Sequence, residues 1–127
     1  MTFTVGTAGG GHGGGGEREG DGGGRGGEHG VVRAEGELDV GNAPELRVAV
    51  NAALDAHPTL VVDLTAVTFM DSVSLGVLIG AYNRAREAGG AFVVVCTDER
   101  VGRIFRITGL DQVFTIVASP EAAAEAL

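Results

Sequence analysis

The sequence predicts an α/β fold in which a mixed, largely parallel sheet of four to five strands packs against about four helices. Two observations predict this class. Short apolar runs of strand length, such as residues 60–64, alternate with segments whose apolar residues recur at helical spacing. Strands that alternate with helices pair mainly in parallel, because each helix returns the chain across the sheet. The 127 residues fit one domain.

The N-terminal part predicts two strands separated by an insertion. Residues 2–5 are β-branched or aromatic, and apolar sequence resumes at residue 31. Between them, residues 6–30 are mainly glycine and charged residues, with too few apolar side chains to offset the entropy of ordering, so we expect disorder. We therefore predict a single domain over residues 1–127. If the two strands form a hairpin, the fold tolerates the insertion, since each doubling of a flexible loop costs only about 0.6 kcal/mol.

The first helix is predicted from its start and stop signals. Asn42 can cap it, Pro44 suits the first turn, and Glu45 can reach back to the cap. Pro58 ends the helix. The apolar run at residues 60–64 then predicts a strand buried on both faces, as is typical of the centre of a parallel sheet.

A long helix is predicted to follow the stretch FMDSVSLGVLIG at residues 69–80. One apolar stripe of this helix is expected to face the core. The stripe comprises Leu75, Leu78, Ile79, Tyr82 and Ala85. Gly89 and Gly90 are expected to end the helix.

The C-terminal part predicts two further strands and two further helices. The strands are predicted at residues 91–96 and 113–117. Asp98 is expected to cap the helix between them, which ends at Gly109, and Ser119 is expected to cap the closing helix. The buried positions of the first of these helices are predicted to be Val101, Ile104 and Phe105.

Charge and composition exclude several classes of partner. The formal net charge of −8 repels phosphate backbones and anionic lipid headgroups, so neither nucleic acid nor a membrane is expected to bind. No apolar run approaches the roughly 18 residues of a membrane span, and the first residues do not resemble a signal peptide. Cys96 is the only cysteine, which indicates a reducing compartment. A cytoplasmic protein is expected.

No cofactor or metal site is predicted. The glycine run matches a dinucleotide motif only trivially, because no helix can begin in such a tract, and a phosphate-binding loop would need a lysine, which the sequence lacks. Four side chains could contact a metal, but their spacing fits no known ligand pattern and favours a solvated linker. They are His12, Asp21, Glu28 and His29.

No catalytic residue is predicted either. Ser72 and Ser74 are possible nucleophiles, but the G-x-S-x-G pattern is absent. His57 lies beside a proline at a helix end and is interpreted as an exposed loop residue. Cys96, in or next to an apolar strand, is interpreted as an unreactive thiol.

Three arginines recur every third residue: Arg100, Arg103 and Arg106. They lie away from the predicted core side of their helix, so a solvated polar face is the favoured interpretation. A docking stripe for an acidic partner is the alternative.

Ser72 occupies the most informative position. An apolar strand leads into Asp71 and Ser72, which begin a helix, so Ser72 lies at or beside the N-cap. By itself this position is equally consistent with a capping serine and with a phosphorylation site. A phosphoryl group there would lie near free N–H groups and the positive end of the helix dipole, so the fold would tolerate it.

Several stretches together resemble the STAS-type anti-sigma factor antagonists of bacteria. FMDS at residues 69–72 and LGVL at residues 75–78 resemble the phosphorylation motif of that family, and GELD at residues 36–39 resembles its G-E-L-D. The resemblance covers about residues 31–127 and the first strand. Other matches in the same order are Asp63-Leu64, Gly89-Gly90, Arg103-Ile104-Phe105 and Thr108-Gly109-Leu110.

The resemblance implies a binding switch and not an enzyme. In the family, the unphosphorylated antagonist binds an anti-sigma factor that is also a serine kinase, which frees a sigma factor. The kinase then uses ATP to phosphorylate the antagonist, and a separate serine phosphatase resets it. On this mapping Ser72 takes the phosphate, Asp71 flanks it, and Asp39 belongs to the contact surface.

A row of side chains that begins beside Ser72 is predicted to contact the partner, because small side chains permit close approach. The row comprises Val73, Val77, Ala81 and Arg84, and Ser74 is included in the same surface. The alternative for Val73 and Val77 is packing under another element. The alternative function is a STAS subunit of a transport or lipid-trafficking complex that docks constitutively; the presence of Asp71 and Ser72 favours the switch.

Overall fold

The computed structural model describes residues 2–8 and 28–127. In these ranges the strands are β1 (Thr2–Ala8), β2 (His29–Leu38), β3 (Leu60–Met70), β4 (Phe92–Val95) and β5 (Thr115–Val117). The helices are α1 (Ala43–Ala56), α2 (Ser72–Glu87), α3 (Glu99–Thr108) and α4 (Pro120–Ala126), and a 3₁₀ turn, Leu110–Gln112, follows α3. The predicted order of strands and helices is confirmed.

The strands form one sheet in the order β1-β2-β3-β4-β5. β2 to β5 are parallel, and β1 pairs antiparallel with β2, so the predicted mixed, largely parallel sheet is confirmed. The predicted limits of the insertion are wrong, because β1 continues to Ala8, which pairs with His29. Backbone pairing extends the hairpin through Gly6 and Gly30, which have no side chain that could indicate a strand. Residues 9–27 of the insertion lie outside the described residues.

Two cores lie on opposite faces of the sheet. On the first face, α1, α2 and α3 contribute buried side chains such as Leu46, Leu78 and Phe105. On the second face, which α4 covers, Ala123 contacts a small apolar group that includes Val61. β3 is therefore buried on both faces over its first residues, as the sequence predicts.

α2 buries a stripe that differs from the predicted one. Its buried side chains are Ser74, Leu75, Val77, Leu78, Ala81 and Ala85. Ile79, predicted to lie in the core, is 38% exposed, and Tyr82 is half-buried. Apolar residues occupy more than half of the circumference of this helix, so periodicity alone does not select which side meets the sheet.

The loop before α1 is built differently from the prediction. Asn42 precedes the helix but its side chain caps none of its N–H groups. Instead, Oδ1 of Asn42 accepts from the N–H of Asp39 at 3.0 Å, and its Nδ2 donates to the carbonyl of Glu37 at 2.8 Å. Asn42 therefore holds the loop that carries Asp39. The caps predicted for α3 and α4, Asp98 and Ser119, are confirmed.

β3 is longer than the predicted residues 60–64 and positions the functional stretch. Its pairing with β4 ends at Asp63, whereas its pairing with β2 continues to Met70. β2 and β3 therefore end side by side, and only Asp71 separates the end of β3 from the start of α2.

Candidate functional site

The stretch around Ser72 lies at the carboxyl edge of the parallel strands. Leu38 pairs with Met70, so Asp39 and Asp71, which follow them, occupy neighbouring loops. The N–H of Asp71 donates to the carbonyl of Leu38 at 3.1 Å and ties the two loops together. In open α/β sheets this edge is where ligands usually bind, so the structure brings Asp39, Asp71 and Ser72 to one site.

Asp71 is the N-cap of α2. Its Oδ1 accepts a hydrogen bond from the N–H of Ser74 at 2.9 Å. That hydrogen bond is the main cause that lowers the pKa of the Asp71 carboxyl. Partial burial opposes it, and the nearby Ser74 hydroxyl and the N–H groups of Val40 and Val73 add to it. Asp71 is therefore ionised at neutral pH, and its charge already faces the positive end of the helix dipole.

Ser72 is the first residue of α2, and its side chain is exposed. The hydroxyl is therefore accessible to another protein. The expectation that a phosphate would lie against free N–H groups needs correction for one of them, because the N–H of Ser74 is bound to Asp71. A phosphate on Ser72 would extend into solvent beside the Asp71 carboxylate.

Three exposed apolar side chains lie in the segments that meet at Asp71 and Ser72. Val40 is 66% exposed, Phe69 46% and Val73 43%. Val73 was predicted to contact a partner, whereas sequence reasoning missed Val40 and Phe69. Strand alternation could have found Phe69, since the next residue, Met70, faces the core. We call the following residues the switch surface: Asp39, Val40, Phe69, Asp71, Ser72 and Val73.

Three residues predicted to contact a partner are buried in the core. Ser74, Val77 and Ala81 are 0%, 2% and 3% exposed. They lie three or four residues apart on the side of α2 that packs inwards. For Val77, the alternative that it packs under another element is therefore correct. Buried side chains cannot form a docking surface, and the prediction is wrong for these three. The Ser74 hydroxyl has no hydrogen-bond partner within the described part of the chain.

Arg84 joins two helices and is distant from Ser72. Its guanidinium forms an ion pair with Asp55 and donates to Oδ1 of Asn51 at 3.0 Å, which links α2 to α1. Twelve residues separate it from Ser72, about 18 Å along a helix that rises 1.5 Å per residue. Arg84 therefore does not belong to the switch surface.

Asp39 shapes its loop as well as facing the site. Its Oδ1 accepts from the N–H of Gly41 at 3.0 Å, and its carbonyl accepts from the N–H groups of Asn42 and Ala43 at the start of α1. Its side chain is half-buried. A substitution of Asp39 would therefore alter the loop together with the charge beside Ser72.

The structure separates the other candidate groups. Ser72 follows β3 and His57 precedes it, and the 11 residues of that strand span roughly 35 Å. Ser72 and His57 therefore cannot form a nucleophile–base pair. Cys96 is half-buried, and burial raises the pKa of its thiol, in line with an unreactive cysteine.

The arginine row of α3 is largely neutralised. Arg100 pairs with Asp98 at 2.9 Å, and Arg106 pairs with Glu99 at 3.1 Å. Arg103 has no ion pair among residues 2–8 and 28–127. These contacts favour a solvated polar face over a docking stripe.

In the part of the chain that the structure describes, none of the helices has the length and hydropathy needed to cross a membrane. The same residues contain no group of three or more His, Cys, Asp or Glu side chains placed to hold a metal ion. Two of the metal candidates weighed above, His12 and Asp21, lie outside the described residues.

Comparisons with known proteins place this fold and site in context. Residues 25–123 match the STAS domain family. The chain is 36% identical over 90 residues to the anti-sigma-B factor antagonist of Bacillus subtilis, which covers 71% of this chain and 83% of that protein. It is 33% identical over 90 residues to the anti-sigma-B factor antagonist of Listeria monocytogenes, covering 70% and 79%.

A solved structure shows the same architecture. An anti-sigma factor antagonist from Mycobacterium paratuberculosis superposes with a TM-score of 0.73 at 31% identity. The superposition covers 98% of this chain and 93% of that one. The sheet and helices described above therefore form the same fold as that anti-sigma factor antagonist.

Proposed function

Because this chain belongs to the STAS domain family, we propose that it is an anti-sigma factor antagonist that acts by binding and is switched by phosphorylation of Ser72. Its unphosphorylated form binds an anti-sigma factor with serine kinase activity and so frees a sigma factor. Transfer of a phosphoryl group from ATP to the Ser72 hydroxyl then releases the partner, and a serine phosphatase restores the hydroxyl. The names of its relatives support the antagonist role.

The observation that carries the proposal is the placement of Ser72. Its exposed hydroxyl begins α2 at the carboxyl edge of the sheet, while Asp71 performs the capping. A serine that does not cap its helix has no structural need for its hydroxyl at this position. Ser72 is therefore free to be modified without loss of the cap.

The exposed apolar side chains of the switch surface supply the docking energy of the neutral form. Val40, Phe69 and Val73 are each exposed, and exposed apolar side chains that form a patch often mark protein contacts. Burial of apolar surface contributes roughly 25 cal/mol per Å². A partner that covers this patch must also cover Ser72, because Val73 follows it directly.

Phosphorylation opposes docking through charge. It adds about −1.5 to −2 charges at pH 7. The phosphate would have to be desolvated next to the Asp71 carboxylate, against a surface that had fitted a neutral hydroxyl. Burial of an unpaired charge costs several kcal/mol, and each ~1.4 kcal/mol is tenfold in affinity, so we expect affinity to fall about 100-fold or more.

Phosphopeptide mapping and titration calorimetry test the proposal. The partner kinase is recovered by pull-down with mass spectrometry and incubated with the protein and ATP. We expect phosphate on Ser72 alone, because Ser74 is buried. Ser72→Ala should bind the kinase and resist release by ATP, whereas Ser72→Asp and the phosphorylated protein should bind weakly.

Two results would contradict the proposal. Phosphate on Ser74 would show that the first turn of α2 opens and that the site is misplaced. Equal affinity of the Ser72→Ala, Ser72→Asp and phosphorylated forms would exclude a switch. It would favour a constitutive subunit of a transport or lipid-trafficking complex.

A further inference from the structure

A cavity lies on the second face of the sheet, between β2, β3 and α4. Its volume is about 240 Å³. Val31 and Val61 form its floor, and Ala123 and Ala124 of α4 form a wall. Because α2 packs on the first face, this cavity is separate from the switch surface.

The cavity results from the small side chains of α4. This helix has the sequence PEAAAEA, and only Ala123 is buried. Alanine side chains are too short to fill the space above two valines of a twisted sheet.

Two buried ionisable side chains line the cavity, and they differ in their pairing. Asp63, 7% exposed, accepts from Nη1 of Arg33 at 3.2 Å and from the N–H and hydroxyl of Thr65 at 3.0 and 2.8 Å. Its charge is therefore balanced. His29, 6% exposed, has no hydrogen-bond partner for its Nδ1 among the described residues.

The Nδ1 atom of His29 lacks a hydrogen-bond partner in the described part of the chain. Buried polar groups are almost always hydrogen-bonded, and those without a partner often mark a ligand or a water. The glycine-rich segment before His29 has no apolar side chain that could fill the cavity, because residues 9–27 are only Gly, His, Glu, Arg and Asp. The largely apolar lining favours an occupant with an apolar body, and residues 9–27 contain no side chain of that kind.

We propose that this cavity binds a small neutral molecule with an apolar body and one hydroxyl group, which forms a hydrogen bond with the imidazole of His29. A hydroxyl both donates and accepts, so it fits either tautomer of a neutral imidazole. The paired charge of Asp63 leaves no need for a cation. At ~30 Å³ for each water, the volume holds the equivalent of about eight waters, which limits the ligand to a similar number of non-hydrogen atoms.

Benzyl alcohol and toluene are the matched probes, because they differ by the hydroxyl. The ¹⁵N-labelled full chain is titrated with each probe and followed by amide resonances. Benzyl alcohol should produce saturable shifts at residues 29–33, 61–63 and 123–124. Toluene should bind about fivefold more weakly, the equivalent of one net hydrogen bond.

Two variants separate the cavity from non-specific binding. Val31→Phe, which fills the cavity from a half-buried position, should abolish the shifts from both probes while the dispersion of the other resonances shows that the protein is folded. His29→Phe should remove the advantage of benzyl alcohol over toluene. Shifts that stay linear to the solubility limit, that persist in Val31→Phe, or that are equal for both probes in the unaltered chain would overturn the proposal.

Discussion

Asp71 and Ser72 have different roles at the start of α2: Asp71 caps the helix, and Ser72 carries the exposed hydroxyl. Asp71 satisfies the helix start through the N–H of Ser74, and Ser72 keeps an exposed hydroxyl. The same arrangement puts a permanent negative charge beside the proposed phosphorylation site. The Asp71 carboxylate already interacts with the positive end of the helix dipole, so this helix end offers little further stabilisation to a phosphate.

This proximity predicts an effect of Asp71 on the phosphate itself. The second ionisation of phosphoserine has a pKa of about 6, and a neighbouring carboxylate disfavours the dianion. We expect the phosphate on Ser72 to titrate at higher pH in the unaltered protein than in Asp71→Asn, because Asn keeps the cap without the charge. A ³¹P NMR titration of both phosphorylated proteins measures the difference, and identical titrations would show that the two groups do not interact.

At the scale of elements, α2 serves both the core and the surface. Its inward side carries Val77 and its first exposed turn carries Val73, four residues away. The two valines are chemically identical, so only their burial distinguishes them. They make a matched pair for separating docking from folding.

We expect Val73→Asp to fold and to lose affinity for the partner, because it places a charge in the exposed apolar patch. Val77→Asp should unfold or lose several kcal/mol of stability, because an unpaired charge would be buried in the main core. Urea unfolding measures stability, and calorimetry with the anti-sigma kinase measures binding. A folded Val77→Asp protein that fails to bind would restore the partner row predicted along α2.

α3 begins with a charged cap that makes its stability depend on pH. The side chain of Arg100 is the largest cause that lowers the pKa of Asp98 to about 2, from an ordinary 3.8, and the N–H groups of Val101 and Arg100 contribute. A carboxyl whose pKa is depressed on folding stabilises the fold above its unfolded pKa. That stabilisation is lost as pH falls, here between about 4 and about 2.

Asp98→Asn isolates this contribution, because Asn can cap but does not ionise. The unaltered protein should be more stable than Asp98→Asn by a constant margin from pH 7 to about 4.5, and the margin should shrink towards pH 2. Urea unfolding of both proteins across this range measures the margin. The contributions of the other carboxyl groups cancel in the difference between the two proteins. A margin that stays constant down to pH 2 would contradict the assignment.

At the scale of the whole molecule, the proposed switch and the two paired residues that flank the insertion, Ala8 and His29, lie at opposite ends of the sheet. His29 begins β2 at the amino end of the parallel strands, where it pairs with Ala8. Ser72 follows Met70 at their carboxyl end. We therefore propose that the insertion is dispensable for folding and for docking.

Replacement of residues 9–28 by Asn-Gly tests this. Ala8 and His29 are paired, so a two-residue turn can join them without a change of register. A shorter loop has a lower closure entropy, about 0.6 kcal/mol for each halving, so the melting temperature should stay within a few degrees or rise slightly. Partner affinity should not change. A large loss of thermal stability would show that the insertion is a structural element.

The sequence by itself determined the class of fold, the order of the elements and the place of Ser72. These follow from local chemistry: alternating apolar runs predict strands, Asp98 and Ser119 predict helix starts, and a strand that leads into Asp71 predicts a helix N-terminus. The family resemblance depends on the same short stretches. Such signals lie within a few residues of the helix or strand that they specify, so they can be recognised without knowledge of the tertiary fold.

Only the tertiary structure decided which side of α2 faces the core. Val77 and Ile79 are both strongly apolar, but the packing of α2 buries Val77 and leaves Ile79 38% exposed. The structure likewise assigned Arg84 to a contact with Asp55 on α1, and it brought Val40, from a distant loop, to Asp71. These placements depend on contacts between residues far apart in the chain, and a helical period that is apolar on more than one side leaves them undetermined.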